Sequence, residues 1–364
     1  MDGINGLRMH VLEAGFEQEN RPCLLLLHGF PELAYSWRKL MLPLAGAGYH
    51  VIAPDQRGYG RTTGGDGALA SVRMLNLVRD AMGLVSAFGY REVAAVIGHD
   101  FGSPVAGWAA LVRPDMFRRV VMMSTPFPGT PALPFGTLDA SRPLRAAPDI
   151  HAALAALNRP RKHYQWYYST DAAAVDMDAP PQGMHDFLRA YYHVKSADWA
   201  GNRPHPLTGW TADELAKMPD YYVMDEGLDM AATAAAEMPS AQEVAACVWL
   251  SDAELAVYAA EYARTGFGPS LLWYRAVTSG AFQADFELFS GRAIDVPACF
   301  IAGASDWGIH QSPGALEAMK TRGCTQLLGC HILPGAGHWV QQEQADAVAD
   351  LVLDFLAQRE TASQ

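Results

Sequence analysis

The sequence predicts an α/β fold, a mostly parallel sheet flanked by helices, with a largely helical segment inserted into it. Three observations carry this. Apolar, β-branched runs alternate with helix-period segments from residue 7 to residue 125. The alternation stops between about Pro126 and Gly268, where Pro, Tyr, Trp and Met are frequent. It resumes near residue 296 and continues to a C-terminal helix. We therefore expect a core built from residues 1–128 and 276–364, and a helical cap from 129–275 inserted after the sixth core strand.

The elements follow in order. "LRMHVLEAG" (7–15) and "CLLLLHG" (23–29) read as strands, "SWRKLMLPLAGAG" (36–48) as a helix closed by glycine, and "YHVIAPD" (49–55) as a strand. "SVRMLNLVRDAMGLVSAFG" (71–89) has apolar residues at helical spacing, with Ser at its start and Gly at its end. "EVAAVIGH" (92–99) and "RRVVMMST" (118–125) are strands on either side of the helix "SPVAGWAALV" (103–112). In the insertion, "HDFLRAYY" and "DAELAVYAAEYART" are helix-like. "VPACFIAGASD" (296–306), "SPGALEAMKTRG" (312–323), "QLLGCHILPGAGHW" (326–339) and "QADAVADLVLDFLAQ" (344–358) restore the strand–helix rhythm. An insertion over the carboxyl ends of parallel strands lies where open sheets bind ligands, so it is a natural lid.

Composition narrows the function classes. The chain has 364 residues, 50% of them hydrophobic, enough for a sizeable core. A formal charge of -12 argues against a nucleic-acid partner. No apolar run approaches the roughly 18 residues of a membrane span, and no secretory signal pattern is visible. The five cysteines are odd in number and lack CxxC spacing. They read as reduced thiols, and the expected compartment is the cytoplasm. No HExxH occurs and no GxGxxG follows a strand, so neither metal nor organic cofactor is expected.

The chemistry begins at "VAAVIGHDFGS" (93–103), a strand running into Gly-His-Asp-Phe-Gly. A sharp strand–turn–helix of this kind carries nucleophilic serine in many hydrolases; here the middle residue is Asp100. Gly98 and Gly102 let strand and helix approach closely. Taken alone, Asp100 reads equally as the cap of a helix starting near Ser103. As a nucleophile it needs no base, because a carboxyl of reference pKa about 3.9 is ionised at neutral pH. It would form an ester with a saturated carbon, and cutting that ester requires water activated by a base. His338, in "LPGAGHWVQQ", and Asp306, in "FIAGASDWG", follow the last two predicted strands at the same sheet edge. Each alone reads as a loop or turn residue; together they supply a base and the acid that orients it. "HGFPE" (28–32) ends another strand, and the N–H groups of Phe30 and Phe101 are candidate donors to an oxyanion.

Together these residues resemble the epoxide hydrolases of the α/β-hydrolase superfamily. The resemblance rests on "LLLLHGFPE", "GYHVIAPDQRGYGRT", "GHDFGS", "STPF", "RTGFGPSLLWYR", "VPACFIAGASDW" and "GAGHWVQQEQ". It implies the α/β-hydrolase fold, a small epoxide as substrate, a covalent Asp100 ester and two cap tyrosines that donate to the epoxide oxygen. "HYQWYYSTD" resembles the first tyrosine region and nominates Tyr164, with Tyr167 and Tyr168 as rivals; "RTGFGPSLLWYR" nominates Tyr274. Asp55, Arg57 and Gly58 are structural in this reading. The lid's aromatic content points to an apolar or aromatic epoxide. The alternative on the same triad is a haloalkane or haloacid dehalogenase, but Phe101 lacks the side-chain donor a halide needs. A non-catalytic binding protein would not require the triad. The cap is longer than usual over 197–240; that segment narrows the entrance, forms the interface of a homo-oligomer or reshapes the pocket.

Overall fold

The computed structural model describes residues 1–132 and 149–358. Residues 133–148 of the expected cap lie outside the described residues. Seven strands form the main sheet: β1 (Val11–Ala14), β2 (Cys23–Leu27), β3 (His50–Pro54), β4 (Ala95–His99), β5 (Val120–Met123), β8 (Ala298–Gly303) and β9 (Leu327–Leu333). Their order is β1-β3-β2-β4-β5-β8-β9. Only β1 runs antiparallel, against β3; every other neighbouring pair is parallel.

The strands β2, β3, β4, β5 and β8 are buried along their whole length. That is why they read as continuous apolar runs rather than alternating ones. Helices cover both faces. Met74–Ala87 and Gly102–Val112 pack together on one side, and Arg38–Gly46 packs against Ala345–Ala357 on the other. The direction of strand order reverses between β2 and β4, which pair from Leu24↔Ala95 to Leu27↔Gly98. The turns after these two strands therefore lie side by side at the carboxyl edge.

The insertion follows β5, the fifth strand of the described sheet rather than the expected sixth. The N-terminal segment does not lengthen into sheet. Gly3 and Gly6 adopt positive φ, and Ile4↔Leu7 and Arg8↔Thr63 are isolated bridges, so regular pairing begins only at Val11. The expected border at residue 275 falls inside the helix Gly268–Thr278, which packs as one element.

Between β5 and β8 the described insertion is mostly helical, as expected. Met184–Lys195 and Asp252–Thr265 are its longest helices and pack on each other. The second starts at a reciprocal cap: Ser251 Oγ accepts from the Glu254 N–H, and Glu254 accepts from the Ser251 N–H. A two-stranded antiparallel ribbon, β6 (Arg161–His163) with β7 (Val223–Asp225), was not expected. It ties the long segment 197–240 into the cap beside Tyr164. The Tyr164 N–H donates to Tyr222 O at 2.9 Å, and their rings meet edge to face.

Candidate active site

Asp100 occupies the tight turn between β4 and the helix Gly102–Val112, with φ of 51°. A Cβ on Gly98 would lie 2.0 Å from Gly102 O, and one on Gly102 would lie 2.0 Å from Leu27 O. Neither position tolerates a side chain, which explains the Gly-x-Asp-x-Gly spacing. The turn aims the carboxylate past the sheet edge, above a helix N-terminus that favours negative charge.

The carboxylate is gripped on both oxygens. Oδ1 accepts from the Phe30 N–H at 2.9 Å, and Oδ2 lies 3.2 Å from His338 Nε2. That histidine contact is close but misaligned for a hydrogen bond, and Nε2 has no hydrogen-bond partner among the described residues. The other ring nitrogen, Nδ1, lies 3.1 Å from Asp306 Oδ1, which also accepts from the Gly308 N–H at 2.7 Å. Asp306 and His338 are each 1% exposed, so bulk water does not compete for their contact. Of the two expected oxyanion donors, the Phe30 N–H bonds the carboxylate, and the Phe101 N–H has no protein acceptor among the described residues.

Burial alone would push the Asp100 carboxyl up. His338, Lys195 and His99 around it reverse this and hold it well below the usual carboxylate range. Asp306 follows the same pattern, burial being outweighed by His338 and the Gly308 N–H. Both groups are thus ionised at neutral pH.

A cavity of about 340 Å³ opens over Asp100. Tyr164, Tyr274, Gln165 and Gln311 line it with polar groups; Val72, Leu77, Phe282 and Phe286 line it with apolar ones. Tyr164 and Tyr274 approach it from different helices, with ring centroids 5.9 Å apart. Burial, reinforced by nearby Asp100, pushes both phenols well above the ordinary tyrosine value, so they keep their protons. The Tyr274 hydroxyl has no protein partner among the described residues. That of Tyr164 donates to Gln311 Oε1 at 3.0 Å and accepts from Gln165 Nε2 at 3.2 Å. The rival tyrosines are engaged elsewhere: Tyr167 donates to Asp176 at 2.8 Å, and Tyr168 donates to Tyr191 at 3.2 Å. Neither lines this cavity.

Three polar groups at the site went unassigned in the sequence. Glu32 and His99, quoted inside the "HGFPE" and "GHDFGS" motifs, form a fully buried pair at 2.6 Å. Burial opposes charge on each, yet the contact outweighs it, shifting Glu32 down and His99 up. His99 Nε2 sits 2.7 Å from the carbonyl oxygen of His338, so the pair braces the base loop. Lys195, also buried, is surrounded by Tyr191, Tyr222 and Trp339 rings at 5.2 to 5.4 Å. The signal available was a polar residue at the end of an apolar run. Asp55 and Arg57 are structural in their bonding: Asp55 accepts the Ala34 and Arg61 N–H groups, and Arg57 makes a two-pronged pair with Asp80.

The alpha/beta hydrolase fold family model matches residues 22–203. The chain is 33% identical over 365 residues to epoxide hydrolase B of Mycobacterium tuberculosis, with 96% of each covered. This chain belongs to the epoxide hydrolase family of the α/β-hydrolase fold. Solved epoxide hydrolases agree along nearly the whole length. Epoxide hydrolase A from Mycobacterium thermoresistibile matches with TM-score 0.73 and 31% identity, covering 97% of this chain and 96% of that one. A point mutant of the Solanum tuberosum epoxide hydrolase matches with TM-score 0.75 and 28% identity, covering 98% of both. Among the described residues no His, Cys, Asp or Glu cluster could hold a metal, and no helix is long and apolar enough to cross a membrane.

Proposed function

We propose that this chain hydrolyses an epoxide to a vicinal diol through an ester on Asp100. The observation that supports this is the shared cavity: an ionised carboxylate faces two protonated phenols across a space that fits a small organic molecule. Asp100 Oδ2 attacks a ring carbon, the carbon–oxygen bond breaks, and the ring oxygen takes a proton from Tyr274 or Tyr164. Both phenols hold that oxygen while the hydroxyalkyl ester forms. His338, oriented by Asp306, then takes a proton from water through Nε2, and the hydroxide adds to the ester carbonyl. Oδ1, already bonded to the Phe30 N–H, becomes the oxyanion. The leaving alkoxide takes the imidazolium proton, and the acid proton left on Asp100 restores the phenol.

The apolar end of the cavity, from Val72 to Phe286, favours an apolar or aromatic epoxide. Halide release fits less well. Phe101 has no donor, and the nearby Trp273 gives its indole N–H to Arg57 O at 2.9 Å. Free cysteines throughout the described residues fit a reducing, cytoplasmic compartment. The cap in this reading begins after β5 and closes with the helix Gly268–Thr278.

Parallel assays with an aryl epoxide and a haloalkane test the reaction class: diol should form and halide should not. His338→Gln should trap the ester, seen as a mass increase equal to the substrate. Halide release without diol would replace this reading.

A further inference from the structure

One half-buried carboxylate next to the base loop has no part in the reaction outlined above. Glu343 ends the helical turn Val340–Glu343 that follows His338. Its Oε1 accepts from the Trp339 N–H at 3.0 Å. Its Oε2 accepts from the Gly337 N–H at 2.8 Å and from the Ala197 N–H at 2.8 Å. The residues on both sides of His338 therefore hang on one side chain, and that side chain also reaches the cap. The His338 N–H itself donates to Lys195 O at 2.8 Å. The contact is tight: a Cβ on Gly337 would lie 2.5 Å from the carbonyl carbon of Ser196 and 2.6 Å from Ala197 N.

Burial pushes the Glu343 carboxyl up to about 8, while the three N–H donors pull it down. Three N–H donors converge on its two oxygens, and none of the three contacts needs a donor from the side chain itself. A carboxamide would turn its own NH2 toward at least one of these donors.

We propose that Glu343 is a positioning residue for the hydrolytic half-reaction: it clasps the His338 loop to the 195–197 turn of the cap and so keeps the base aligned between Asp306 and Asp100. The inference rests on the reading of His338 as the water-activating base. Phe30, Tyr164, Tyr274 and the backbone of Asp100 are carried by other segments, so the clasp touches ring opening only through the His338 contact with Asp100 Oδ2 and bears chiefly on ester hydrolysis. In a two-step reaction that slows only ester hydrolysis, kcat and KM fall together while kcat/KM is preserved. A merely structural role would lower kcat/KM as well.

Glu343→Gln and Glu343→Ala should lower kcat and KM in parallel by about 10- to 100-fold with styrene oxide, the cost expected of a small misplacement of a catalytic group. The ester should accumulate in intact-mass spectra during turnover. Native kcat and KM, or a fall in kcat/KM equal to that in kcat, would overturn the proposal. His338→Gln measured alongside separates the two readings. If it forms no ester, the reaction scheme fails; if it traps ester while the Glu343 variants turn over normally, only the clasp fails. The native enzyme gives an independent check should either variant not fold. By hydrogen exchange, amides of residues 337–339 should be protected far beyond an ordinary loop, and exchange within seconds would contradict the clasp.

Discussion

At the sheet edge, Asp100 is fixed by its own backbone and by glycines before and after it; in the cap, Tyr164 and Tyr274 are fixed by the rings around them. The first arrangement is short-range. A positive φ, two positions without a Cβ and one N–H from Phe30 define where the carboxylate points. The second is long-range. Tyr274 packs against Phe30, Phe101, Tyr164 and Tyr168, which come from distant parts of the chain. The sheet edge tolerates almost no change of shape, whereas aromatic packing lets the cap vary in length and still deliver two phenols. The segment 197–240 illustrates this, since it adds β7 and Tyr222 behind Tyr164 without displacing it from the cavity.

The largest effect should come from crowding the sheet edge. Gly102→Ala places a Cβ against Leu27 O and should cost several kcal/mol, about 3 or more, read as a lowered denaturation midpoint with loss of activity. A variant as stable and active as the native protein would show that backbone geometry is not what holds Asp100. In the cap, Tyr274→Phe should slow ring opening about 100-fold, the usual cost of losing one donor to developing charge, measured by single-turnover kinetics. Tyr164→Phe should cost less, about 10-fold, because its hydroxyl must first leave Gln311. The reverse order would mean that Tyr164 is the principal donor.

Acidity separates the halves in a different way. The Asp100 carboxyl is held low and the phenols are held high, so between about pH 5 and 8 none of them changes charge and opening should stay flat. kcat/KM, which reports opening, should therefore hold level across that range; a fall within it would place a titrating group in the opening step.

The same contrast explains what the sequence revealed. Gly98, Asp100 and Gly102 lie within five residues, and their constraint is local, so the turn was readable directly. Asp306 and His338 each follow a strand, and strand ends of a parallel sheet share one edge. The cap gave no such rule. Tyr164, Tyr167 and Tyr168 are near neighbours on one short helix, Tyr164–Tyr168, and only tertiary packing decides that the first faces the cavity. The ribbon of β6 and β7 was invisible because three-residue strands carry too little periodicity. Glu32, His99 and Glu343 were present in the quoted motifs, but their partners lie far along the chain or on backbone N–H groups. No spacing rule connects them.

The central claim is that oxygen reaches the diol by way of Asp100. A single turnover in heavy-oxygen water, with enzyme in excess, should leave the label in the carboxylate of residue 100 and an unlabelled diol, read by mass spectrometry of the peptide spanning β4 and its turn. Label found in the diol and absent from that peptide would mean that water attacks the epoxide directly.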